Sequence, residues 1–144
     1  MTRREATAGS ENPAMTHTAI VAISRNGAAL GRKLAVDLAN EPTLYLDRRF
    51  LTEEDNAVAF DLPARPVVQQ VFQECEQLVL MMPVGAAVRL LAPCLDHKHT
   101  DPAVVCVDDA GRFAVSLVSG HIGGADRLAQ EVASILDASP VVTS

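Results

Sequence analysis

Short, β-branched apolar runs alternate with stretches of helical spacing along almost the whole chain, and few folds accept that order. "TAIVAIS" (18–24) reads as a buried parallel strand. It is followed by "RNGAALGRKLAVDLA", where Leu30, Leu34 and Leu38 recur every fourth residue on one helical face and Asn26 is placed to cap the helix. "TLYLD" (43–47) is a second, shorter strand. Residues 48–65, with acidic residues and Pro63 near the end, just ahead of Pro66, read as irregular, partly mobile surface chain with a possible short edge segment.

Helical spacing returns in "RPVVQQVFQEC", with Val67, Val68, Val71 and Phe72 on one face and Pro66 in the first turn. "QLVLMMP" (77–83) is the most continuously apolar run and reads as the central strand. "GAAVRLLAPCL" (85–95) is helical until Pro93 breaks it. Two further runs near 103–118 are joined by Asp108, Asp109, Ala110 and Gly111, which is hairpin chemistry. An amphipathic helix carrying Leu128, Val132, Ile135 and Leu136, then "PVVT", complete the pattern. The expected fold is α/β: a three-layer sandwich with a mostly parallel sheet and one antiparallel hairpin.

The 144 residues are read as a disordered leader over 1–17 and a single α/β domain over 18–144. A net charge of −6 and 3% aromatics argue against a nucleic-acid partner, which would want cationic surface and stacking rings. No apolar run approaches the ~20 residues of a membrane span, and the N-terminus lacks a signal-peptide core, so a cytoplasmic protein without a membrane partner is expected. Cys75, Cys94 and Cys106 form no CxxC pair and read as small apolar residues of a reducing compartment.

Ligands of open α/β sheets gather beyond the carboxyl ends of the strands. Three loops are expected there: "SRNG", "MPVGAAVR" and "SGHIGGAD", each opening a helix. The glycines Gly120, Gly123 and Gly124 match neither a dinucleotide nor a P-loop fingerprint, leaving a tight turn or a close approach of ligand to backbone. His121 is either a loop histidine bonded to backbone or a general acid–base. Ser119 reads as a hydrogen-bond donor or helix cap, and Asp126 as a first-turn carboxylate or ligand contact. Arg89, inside an apolar helical stretch near Gly85, calls for an anionic partner, from protein or substrate. "DHKHTDP" (96–102), with His97, Lys98 and His99, is a polar loop or a weak metal motif; no metal ligand is assigned.

The string from Met82 to Ala133 resembles the N-terminal domain of the CbiG family, the cobalt-precorrin-5A hydrolases of cobalamin biosynthesis. Gly85, Val88, Arg89, Ala92, Pro93, Lys98, Asp101, Pro102, Asp108, Gly111, Ser119, Gly120, His121, Gly123, Gly124 and Ala125 fill the family pattern. The resemblance implies a hydrolase acting on a carbon–carbon bond: opening of the ring A lactone of a cobalt corrinoid and release of acetaldehyde. The partner is then a cobalt-corrinoid intermediate, with a partner domain or other cobalamin-biosynthesis enzymes beside it. No cofactor is required, since cobalt enters as part of the substrate. The alternative is a non-catalytic corrinoid-binding or carrier module that completes a partner enzyme. On this reading His121 and Arg89 are catalytic, while Gly85, Lys98, Ser119, Gly120, Gly123, Gly124 and Asp126 bind substrate. Two positions depart from the pattern: Pro83-Val84 stands where Ala-Thr is usual, and Asp126 where asparagine is usual. Family members also continue into further domains.

Overall fold

The computed structural model describes residues 17–144, so the expected leader falls, but for His17, outside the described residues. Seven strands make one sheet in the order β3-β2-β1-β4-β5-β6-β7. They are β1 (Thr18–Ala22), β2 (Thr43–Asp47), β3 (Val58–Phe60), β4 (Gln77–Met81), β5 (Ala103–Val107), β6 (Phe113–Val118) and β7 (Ser139–Val141). The first five run parallel. β6 turns back antiparallel to β5, with Val104 opposite Val118 and Val107 opposite Ala114, and β7 lies parallel to β6.

Among the described residues four helices cover the two faces: α1 (Arg25–Asp37), α2 (Arg65–Glu74), α3 (Val84–Leu91) and α4 (Ala125–Leu136). Because strand side chains alternate, Ile20, Ala22, Val79, Met81, Val105 and Val107 meet α1 and α4 on one face. Ala19, Val21, Leu78, Leu80, Val104 and Cys106 meet α2 and α3 on the other. β1, β4 and β5 are covered on both faces, which is why their sequences are unbroken apolar runs. Each fully buried Leu, Ile or Val contributes about 1.5–3 kcal/mol. The expected three-layer architecture and hairpin are therefore observed.

Local details differ. Ser24, not Asn26, caps α1: its hydroxyl accepts from the Gly27 amide at 2.9 Å. Residues 48–65 are more regular than expected, with a 3-10 turn at Arg48–Phe50 and the edge strand β3. Asp55 anchors this segment to α1 through Arg32, with Nε–Oδ1 at 2.7 Å and Nη2–Oδ2 at 3.0 Å. The pair holds the Asp55 carboxyl down at about 2. Asp47 is buried and receives the Arg49 guanidinium at 2.7 Å, which holds its carboxyl below the usual range. Pro93 ends α3 by diverting the chain into a 3-10 turn over Ala92–Cys94. No helix among the described residues is long and apolar enough to cross a membrane.

Candidate functional site

The carboxyl ends of β1 and β4 mark the point where the chain winds outward in opposite directions, the usual ligand position of such sheets. Here that position is occupied by the protein's own carboxylate. The Ser24 hydroxyl donates to Asp109 Oδ1 at 2.5 Å and the Asn26 amide donates to Oδ2 at 3.2 Å. The hairpin between β5 and β6 thus supplies an internal anion to the first turn of α1, where it engages the Ser24 hydroxyl and the Asn26 side-chain amide.

Gly85 stands at the same edge, exposed, in the first turn of α3. Arg89 lies one turn further along and is also exposed; among the described residues it makes no ion pair. Among the described residues no protein carboxylate takes the place that the apolar helical setting suggested for one.

The third loop is not at this edge. β6 reverses direction against β5, so the turn after Val118 emerges beside the amino end of β5. There it meets the 95–102 loop, where Ser119 Oγ donates to the Asp101 carbonyl at 3.3 Å. The sheet therefore separates two groups. Ser119, Gly120, His121, Gly123, Gly124 and Asp126 come together at the amino-end edge, and Lys98 is exposed on the adjoining 95–102 loop. Gly85 is left at the opposite edge, and Arg89 belongs to a helix on the opposite face from α4. The shared rim expected of all three loops does not form, for the simple reason that a hairpin sends the chain back across the sheet.

The turn itself is tightly folded. Ser119 adopts a left-handed φ of 59° and Gly124 a φ of 90°, conformations that are costly for most residues and easy for glycine. The amides of Ala125 and Asp126 bond back to the carbonyls of Ser119 and Gly120 at 3.1 and 3.0 Å. Close approach explains two glycines. A Cβ on Gly123 would lie 2.4 Å from Ser119 Cβ, and one on Gly120 would lie 2.6 Å from Asp126 Oδ1. Ser119 caps α4 through its carbonyl rather than its side chain, and Gly124 occupies the N-cap position.

Two consequences follow for chemistry. The N–H groups of His121, Ile122, Gly123 and Gly124 bond to no other group among the described residues, and His121, Ile122 and Gly123 are exposed at the positive end of α4. Such a run of free amides can hold a carboxylate or a developing oxyanion. Beside it, the Asp126 carboxylate accepts from Ser116 Oγ at 2.6 Å and from Ser144 Oγ at 2.7 Å. These hydroxyls, the nearer Ser116 foremost, hold the Asp126 carboxyl below its usual range, and the neighbouring His121 adds to the effect. Ser116 was missed in the sequence reading. Its signal was a lone hydroxyl interrupting the apolar run "FAVSLV".

Near the turn, the rings of His97 and His99 stack at 4.8 Å, and Lys98 is exposed between them. The Asp101 carboxylate, 9% exposed, closes that loop by accepting from the Asp96 amide at 3.0 Å. Among the described residues no group of three or more His, Cys, Asp or Glu side chains is arranged to hold a metal. Cys75, Cys94 and Cys106 are thiols rather than members of disulfides. Cys106 donates its thiol to the Met82 carbonyl at 2.9 Å, and burial pushes that thiol up to about 12.

The family model described as cobalamin synthesis G N-terminal matches residues 66–144. A curated cobalt-precorrin-5A hydrolase from Priestia megaterium is 38% identical over 128 residues, covering 88% of this chain and 34% of that protein. Its namesake from Salmonella typhimurium is 36% identical over 126 residues, covering 88% and 35%. The chain thus spans about a third of the length of these relatives. A cobalamin biosynthesis protein G homolog from Sulfolobus solfataricus, known from a crystal structure, superposes with a TM-score of 0.63 at 23% identity, over 88% of this chain and 36% of that one. That likeness concerns the fold alone.

Proposed function

The chain belongs to the cobalamin synthesis G N-terminal family, and on that premise we propose that it supplies the corresponding part of a cobalt-precorrin-5A hydrolase. The observation that carries this reading is identity of 38% and 36%, over 88% of the chain, to two proteins of that name. The geometry of the turn suits the work. A substrate of this class is a cobalt corrinoid bearing several carboxylates and a lactone. Water adds to the lactone carbonyl and the acyl C–O bond breaks, leaving a carboxylate and a free hydroxyl on the two-carbon fragment. Loss of the hydroxyl proton then breaks the carbon–carbon bond to the macrocycle: the fragment leaves as acetaldehyde, and the macrocycle carbon keeps the electron pair and takes up a proton. The reaction needs a group to move a proton and donors to hold negative charge.

His121 is the proton-transfer group of this proposal, because an imidazole exchanges protons near neutral pH and this one is exposed at the turn. The free amides from His121 to Gly124 hold a substrate carboxylate or the oxyanion, and Lys98 adds a cation from the adjoining loop. Ser119, Gly120 and Gly123 give the turn its shape, and Asp126 lies within electrostatic reach of His121. Arg89 and Gly85 receive no part in this step, since they are not gathered with the turn. Cobalt takes part only as a component of the substrate, and no further cofactor is invoked.

The test is acetaldehyde release from cobalt-precorrin-5A, read by coupled reduction of the aldehyde. The full chain is assayed alone and with the remaining portion of the Priestia megaterium relative supplied as a second polypeptide. Release in either arm, lost in His121→Ala, supports the proposal. No release in both arms, or release that survives His121→Ala undiminished, overturns it.

A further inference from the structure

Ser116 lies in β6, outside the turn, yet three observations tie the turn's shape to its hydroxyl. It donates to Asp126 Oδ1 at 2.6 Å, bridging the strand that leads into the turn and the helix that leaves it. Gly120 is folded directly over that hydrogen bond: a Cβ there would meet Asp126 Oδ1 at 2.6 Å and Ser116 Oγ at 3.1 Å. The Gly120 carbonyl in turn accepts the Asp126 amide at 3.0 Å, so the backbone just before His121 is clamped onto the same carboxylate-bearing residue. The second Asp126 oxygen is held by Ser144 at 2.7 Å.

We propose that Ser116 is a positioning residue for the reaction: by fixing the Asp126 carboxylate beneath Gly120, it fixes the place and orientation of His121. This rests on the functional reading given above, in which His121 moves the proton. A hydroxyl is required rather than mere volume, because alanine at this position removes a donor from a carboxylate over which the turn is closed. Threonine keeps the donor and suits a strand.

The experiment compares Ser116→Ala, Ser116→Thr and His121→Ala in the two-polypeptide acetaldehyde assay, together with carboxyl titration of Asp126 by NMR in the full chain. Misplacing a reacting group by about 1 Å costs up to about a hundredfold, so Ser116→Ala is expected to lower kcat by about tenfold or more. KM should change less than kcat, since the backbone bonds from Ala125 and Asp126 to Ser119 and Gly120 still hold the amides of the turn. Ser116→Thr should restore kcat. The Asp126 carboxyl should titrate higher in the alanine variant and return to its low position in the threonine variant. Unchanged kcat in Ser116→Ala, alongside loss of activity in His121→Ala, overturns the positioning role while leaving the functional reading intact. A threonine variant that recovers the Asp126 titration but not kcat also overturns it. Full activity in His121→Ala places the fault in the functional reading, and this proposal falls with it.

Discussion

Gly123→Ala tests the closed geometry of the turn and leaves the His121 and Lys98 side chains in place. The new methyl would lie 2.4 Å from Ser119 Cβ and 2.7 Å from the Ser119 carbonyl oxygen. Non-bonded carbons rest at about 3.5–4.0 Å, so the turn must open by more than about 1 Å. It cannot do so locally, because Ala125 and Asp126 donate back to Ser119 and Gly120, and Ser119 is tied to the Asp101 carbonyl. Overpacking of this kind costs about 1–3 kcal/mol. For a chain of this size, a loss of about 2 kcal/mol lowers Tm by roughly 8 °C. Gly85→Ala is the internal control. A Cβ there meets nothing within 4 Å, and replacing a helical glycine by alanine gains about 0.5–1 kcal/mol. Thermal unfolding followed by circular dichroism should show Gly123→Ala well below the parent and Gly85→Ala slightly above it. An unchanged Tm for Gly123→Ala, or an equal fall for both, would refute the reasoning.

The remaining predictions concern charge and thiol chemistry. The Asp55 carboxyl is held at about 2 by Arg32, below an unfolded value of 3.8. A lowered folded pKa gives stability that is complete above about pH 4 and is lost as pH falls toward about 2. Urea unfolding across that window should therefore show a steeper loss for the parent than for Asp55→Asn, and parallel curves would contradict the pairing. Cys94 is half-buried whereas Cys75 and Cys106 are buried, and burial pushes the Cys106 thiol up to about 12. Under native conditions at pH 8, alkylation followed by mass mapping should find Cys94 modified first and Cys106 last. Early modification of Cys106 would contradict the packing of β5.

Much of the fold was legible because the sheet's covered strands leave unbroken apolar runs and its helices leave a four-residue spacing. Leu34 and Leu38 are buried as that spacing requires, and the hairpin sits where Asp108 to Gly111 interrupt two runs. Other features depend on partners distant in sequence. Asp55 looks like mobile surface until Arg32, 23 residues earlier, reaches it. Asn26 looks like a helix cap until Asp109, 83 residues on, takes its amide. The location of the candidate site was a different matter: the hairpin already implied that the turn after β6 must lie at the opposite edge from Gly85. Residue type identified the turn's members, while strand direction decided their neighbours.

The account stands most directly on His121. On the function proposed, acetaldehyde release from cobalt-precorrin-5A in the two-polypeptide assay should be abolished by His121→Ala while the variant keeps the parent's Tm, since His121 is exposed. Release at the parent's rate from a correctly folded His121→Ala protein would contradict the account.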